Sequence, residues 1–183
     1  MTGGRAPCLV AALLLAVTGA AAQPRADFRG TWTLAPSDRA AGVATGSTPP
    51  TLSAQGDMGS GWGSEVTIGQ DVSALTVSYS YFHPRDMQPP FAFRYLLNGA
   101  ASTNVVNMGL GPQEQVSRVS WEGASLVITT THRFVDPSTR QPITSETRQV
   151  LSLDTPTVLA IETTRSGVLG GEPSRTRTLY LKK

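Results

Sequence analysis

Cysteine is almost missing from this chain. Its one cysteine, Cys8, lies in an apolar N-terminal stretch. The remainder can form no internal disulfide and offers neither a thiolate nucleophile nor a cysteine metal site. Lysine is nearly as scarce, confined to Lys182 and Lys183, so the positive charge is almost all arginine. With 15 Lys+Arg against 13 Asp+Glu, the formal net charge is only +2. That balance excludes a polybasic nucleic-acid binder and an acidic tail. Histidine occurs twice, as His83 and His132, with no acidic cluster at ligand spacing, so no zinc site is expected. There is no nucleophile elbow of the G-x-S-x-G type. The glycines between Gly167 and Gly171 lack a P-loop lysine and a following helix. Neither a catalytic residue nor a cofactor is therefore expected.

Long apolar runs are also lacking. Arg5 is followed by a short apolar run from Cys8 to Val17 and by small residues ending Ala20-Ala21-Ala22. A basic start, a short apolar centre and an A-x-A site read as a secretory signal peptide, residues 1–22. The run is much shorter than the roughly 20 residues a membrane span needs, so no stable membrane insertion is expected. Residues 23–183 are expected to form one domain, placed in the periplasm or outside the cell. Cys8 stands at the start of the apolar run instead of following it, which argues against lipid anchoring.

No helical period is evident after residue 27. What is there alternates with period two. Phe28 to Leu34, Val66 to Ile68 and Leu75 to Tyr81 each switch between apolar and polar residues, and Phe91, Phe93, Tyr95 and Leu97 share one face. Further runs at 102–108, 114–121, 124–134, 143–154, 157–166 and 174–182 bring the series to ten. Thr, Val, Tyr and Ser dominate them, as suits half-buried strands. Asn98-Gly99, Glu122-Gly123, Asp136-Pro137-Ser138 and Asp154-Thr155-Pro156 supply turn chemistry between runs. Short turns joining consecutive strands make an antiparallel meander. A meander of ten leaves two bare edges unless the sheet closes on itself. The expected fold is all-β, an up-and-down barrel of about ten strands, with a two-sheet sandwich as the alternative. Residues 36–64, rich in Gly, Pro and Ser, form a long loop after the first strand, and Trp62 is expected to plug it onto the domain.

The opening Phe28-Arg29-Gly30-Thr31-Trp32 resembles the Gly-x-Trp start of the lipocalin and fatty-acid-binding-protein (calycin-type) superfamily. The stretch from Trp121-Glu122-Gly123 through Leu126 and Ile128 to His132 resembles a hairpin of the same superfamily, and Thr176 to Tyr180 resembles its closing strand. The layout is also similar to that of a group of secreted bacterial proteins. The resemblance implies a barrel whose first-strand Gly30 and Trp32 close one end, and a small, largely apolar ligand held inside. It departs from the fatty-acid binders in two places. Their helix-turn-helix lid is replaced by the 36–64 loop. Their last-strand Arg-x-Tyr matches Arg177, but Leu179 follows two positions on and Tyr180 is expected to point the other way.

Five residues are candidates for ligand contact. Tyr79, Tyr81 and Tyr95 extend apolar strand faces and combine an apolar body with a polar tip. His132 follows Leu126, Ile128 and Thr130 on one face, where neutral imidazole can act as a base or iron ligand. Arg177 shares its face with Leu179 and Leu181. If that face is inward, Arg177 either stacks on Trp32 or meets a ligand carboxylate. An interaction protein of the cell envelope is the alternative function, and a haem-binding or enzymatic barrel using His132 is a third.

Overall fold

The computed structural model describes residues 25–36, 60–79, 90–107, 112–135, 139–166 and 173–183. Ten strands occur among them: β1 (Gly30–Leu34), β2 (Glu65–Gln70), β3 (Ala74–Tyr79), β4 (Phe91–Leu96), β5 (Ser102–Asn107), β6 (Pro112–Glu122), β7 (Ser125–Val135), β8 (Pro142–Thr155), β9 (Val158–Arg165) and β10 (Ser174–Lys182). Each of the ten alternating runs becomes one strand. The expected signal peptide and residues 37–59 of the expected loop lie outside the described residues, as does the Asp136-Pro137-Ser138 turn.

All ladders are antiparallel, and the strand order is β4-β3-β2-β1-β10-β9-β8-β7-β6-β5. This is a meander whose last strand returns to its first, with Leu34 opposite Tyr180. The sheet is a nearly closed barrel, not a sandwich, and is compatible with the calycin-type layout that the motifs resemble. The turn at Asn98-Gly99 forms as expected. Gly99 sits at φ 81°, where a side chain is strained, and the Asn98 carboxamide accepts from the Ala100 N–H at 3.0 Å.

β4 and β5 are the two ends of the strand order, and side chains of β5 bridge them. The Asn104 carboxamide accepts from the Arg94 N–H (2.9 Å) and donates to the Arg94 carbonyl (3.2 Å), standing in for a peptide unit of a neighbouring strand. Beside it, Ser102 Oγ accepts from the Leu96 N–H at 2.8 Å. Both residues are buried. Edge groups that would otherwise lack partners are satisfied in this way, across a gap wider than a backbone ladder.

One end of the barrel is packed solid. Trp32 is fully buried and its indole N–H donates to the Phe28 carbonyl at 2.9 Å. Phe28 stacks against Trp121 with ring centres 6.2 Å apart, and the Gln70 carboxamide ties the preceding segment down through the Phe28 N–H and the Ala26 carbonyl. Lys182 lies with its ammonium 5.3 Å from the Trp32 ring centre. Gly30 makes room for it: a Cβ there would stand 2.8 Å from Lys182 Cε, and φ +137° is itself costly for any other residue. Gly30 and Trp32 thus occupy a closed end. The cation over Trp32 is Lys182, not Arg177.

Arg177 requires a correction. It faces outward, half exposed, with Nη2 donating to both oxygens of Asp154 at 2.9 and 2.7 Å. The inward face of β10 carries Thr178 and Tyr180 instead, Tyr180 being 1 % exposed. Both faces of this strand hold apolar residues, so alternation alone does not choose between them, and a one-residue slip inverts every side chain. The strand turns the way that leaves the guanidinium hydrated and paired, because burying it carries a large desolvation cost.

Replacing Asn104 with leucine leaves the Arg94 N–H and carbonyl without partners. The expected cost is about 1–3 kcal/mol, read as a lower urea midpoint. Amide exchange at Arg94 should accelerate as well. An unchanged exchange rate there would mean that other contacts hold β4 to β5.

Candidate functional site

The registers of β6 to β10 place inward side chains in layers, and the layers change character along the barrel. Nearest Trp32 the layer is Trp121, Leu126, Leu151 and Ile161. The next inward row runs Val119, Ile128, Gln149 and Thr163. Beyond it come Ser117, Thr130, Thr147 and Arg165, and then Gln115, His132 and Ser145. The interior therefore grades from apolar to polar along one direction. A polar group inside a barrel needs hydrogen-bond partners, and several are present. Ser117 and Thr130 share a bond at 2.8 Å, both buried. The hydroxyl of Thr163, fully buried, bonds to no group among the described residues.

Opposite this polar wall, β3 and β4 present aromatic rings. Tyr79 and Phe93 stack with centres 5.4 Å apart and planes within 9°. Phe93 and Tyr95 continue the stack at 6.5 Å and 12°. Period two on β4 sets Phe93 and Tyr95 on one face, and cross-strand pairing brings Tyr79 beside them.

Between the two walls lies a cavity of about 120 Å³. Its floor and sides include Tyr79, Phe93, Tyr95, His132, Gln149 and Arg165, with Gln115, Thr130 and Thr147 completing the polar side. A strap formed by Ser60, Gly61 and Trp62 supplies the remaining wall. The strap is tied to the barrel by side chains that reach across it. Tyr180 Oη meets Ser60 Oγ at 2.6 Å and donates to the Gly63 carbonyl at 2.8 Å. The Gln149 amide donates to the Ser60 carbonyl at 2.7 Å. Trp62 is 3 % exposed and plugs inward, as its size and isolation in the loop suggest.

His132 is half-buried. Burial and, after it, the charge of Arg165 hold its pKa below the ordinary histidine value. The imidazole is accordingly neutral at physiological pH. The lining offers one guanidinium, one imidazole, two carboxamides and several hydroxyls; neither Asp nor Glu contributes to it among the described residues. Such a set can hold a negatively charged or hydrogen-bond-accepting group. Among the described residues it contains no pair of carboxylates of the glycosidase kind.

Of the five contact candidates, Tyr79, Tyr95 and His132 meet at this cavity. Arg177 is outside the barrel, and Tyr81 lies outside the described residues. Arg165 escaped the sequence reading although its signal is present: it falls two and four residues beyond Thr163 and Ile161, on the buried face of β9. Gln149 likewise shares the face of Leu151 on β8. A second hollow, about 350 Å³, lies near the closed end beside Arg25, Arg29, Asp71 and Trp121. Arg25 there covers the Trp121 ring at 5.3 Å and Arg29 pairs with Asp27 at 2.6 Å, so these cations already have local partners. Comparison of the chain with protein-family models, with curated proteins and with solved structures finds no match.

The depressed His132 pKa carries a stability consequence. Between the unfolded value near 6.5 and the lower folded value, the unfolded chain binds a proton that the native barrel does not. Stability is therefore level above that window and falls as pH drops through it. His132→Gln should flatten this part of the stability–pH curve, measured by urea unfolding at a series of pH values. Asp27, which the adjacent Arg29 holds down to about 2, acts only at more acidic pH. Separately, Tyr180→Phe removes both hydroxyl bonds to the strap. It should lower stability by about 1–3 kcal/mol and speed amide exchange at Trp62.

Proposed function

We propose that this chain is a secreted carrier that holds a small molecule inside its barrel and performs no covalent chemistry on it. The observation that supports this reading is the convergence of three stacked rings, a neutral histidine, an arginine and two carboxamides on one cavity away from the packed end. A cavity with an apolar wall and a few converging polar groups is the usual character of a small-molecule site. The aromatic wall suits an apolar body, and the polar wall suits one hydrogen-bonding end. The signal-like residues 1–22 support an address outside the cytoplasm.

A haem or comparable macrocycle is disfavoured by size, since a cavity of about 150 Å³ is already filled by a single benzene ring and this one is about 120 Å³. The reading is tested by titrating the isotope-labelled chain with a library of small aromatic and aliphatic compounds. A binder should shift the amide signals of Phe93, Tyr95, His132 and Gln149 together. At a hundredfold excess over its Kd it should add about 2.7 kcal/mol of stability. If no compound moves these residues, the carrier reading fails. Expression in a bacterial host should yield a secreted form beginning at Gln23, read by N-terminal sequencing.

A further inference from the structure

The cavity's size and its two unlike walls narrow the ligand, granted the carrier reading above. An apolar cavity of about 150 Å³ holds a single benzene ring. At about 120 Å³ this one is smaller but open on one side, so a single ring is the most it encloses, with any substituent at the open polar side, and a long acyl chain is not enclosed. The parallel planes of Tyr79, Phe93 and Tyr95 offer a flat surface on which a further ring continues the stack. Facing them, Arg165 brings a planar guanidinium from β9, with its Nη2 close beside Gly61 of the strap. Guanidinium geometry matches a carboxylate with two parallel N–H···O bonds. The Gln115 and Gln149 carboxamides and the Thr130 and Thr147 hydroxyls add donors on the same side.

We infer that the barrel binds a small aromatic carboxylate, a single ring bearing one carboxyl group, with the ring on the Tyr79–Phe93–Tyr95 wall and the carboxylate at Arg165 and His132. The ligand's negative charge replaces the repulsion that Arg165 exerts on a protonated His132. Arg165 is the charged group facing His132 in the cavity, while Gln115 of β6 and Ser145 of β8 flank it without charge. Binding therefore takes up a proton at His132 and tightens as pH falls toward the lowered value at which the free protein protonates it.

The probes are benzoate, its neutral counterpart benzamide, and hexadecanoate, each titrated into the full chain by calorimetry with amide shifts followed in parallel. Benzoate should bind at least about tenfold tighter than benzamide, the usual margin for a charge-assisted hydrogen bond. Arg165→Gln should abolish that margin, benzoate then binding no more tightly than benzamide does to the same variant. Arg165→Lys, which keeps the charge but not the fork, should fall between, and it serves if the glutamine variant does not fold. Benzamide equal to benzoate, or benzoate indifferent to both variants, overturns the carboxylate assignment but leaves the carrier reading standing. Hexadecanoate bound more tightly than benzoate overturns the size argument. Absence of shifts at Tyr79, Phe93 and Tyr95 with all three probes overturns the assignment; the carrier reading is judged separately by the compound library.

Discussion

The structure depends on how two sheet edges are satisfied. A ten-strand meander ends on two strands whose N–H and carbonyl groups need partners. Here β4 and β5 come together without a backbone ladder, and the Asn104 carboxamide and Ser102 hydroxyl of one strand serve the main chain of the other. A side chain used as a peptide surrogate holds the edges at a separation a ladder would not permit. The sheet is thereby held as a nearly closed cylinder with an inside and an outside.

Given an inside, the layers divide the work. Around Trp32 the interior is apolar and filled, and this is where hydrophobic burial stabilises the fold, at roughly 25 cal/mol per Å² of apolar surface. Toward His132 and Arg165 the same strands carry amides, hydroxyls and charge. Those residues contribute little burial energy and need hydrogen bonds to be tolerated. The strap from Ser60 to Gly63 meets part of that need, its Ser60 carbonyl accepting from Gln149 and its Gly63 carbonyl from Tyr180. The packed core and the polar cavity thus occupy opposite halves of one barrel.

Much of this was legible from alternation. Ten period-two runs mark ten strands, Asn98-Gly99 marks its turn, and Phe93, Tyr95, Leu126 and Ile128 declare their inward face because a buried strand face must be apolar. Alternation also puts Arg165 and Gln149 on inward faces, two residues from Thr163 and Leu151, but they lie at the end where the interior is polar, and a rule that equates inward with apolar passes over them. Tyr180 and Arg177 were misread because β10 has apolar residues on both faces, and its orientation is fixed by pairing with β1 and β9.

The sequence by itself determined the elements: the strands, their turns, the meander, and a chain beyond Cys8 without thiol chemistry. These follow from local rules, since side-chain period and turn preference act over a few residues. Only the tertiary structure decided which face of β10 is inward, that Lys182 covers Trp32, that Asn104 ties β4 to β5, and that Arg165 and Tyr79 line one cavity. Those are relations between residues far apart in the chain, and only closure of the sheet sets their distances.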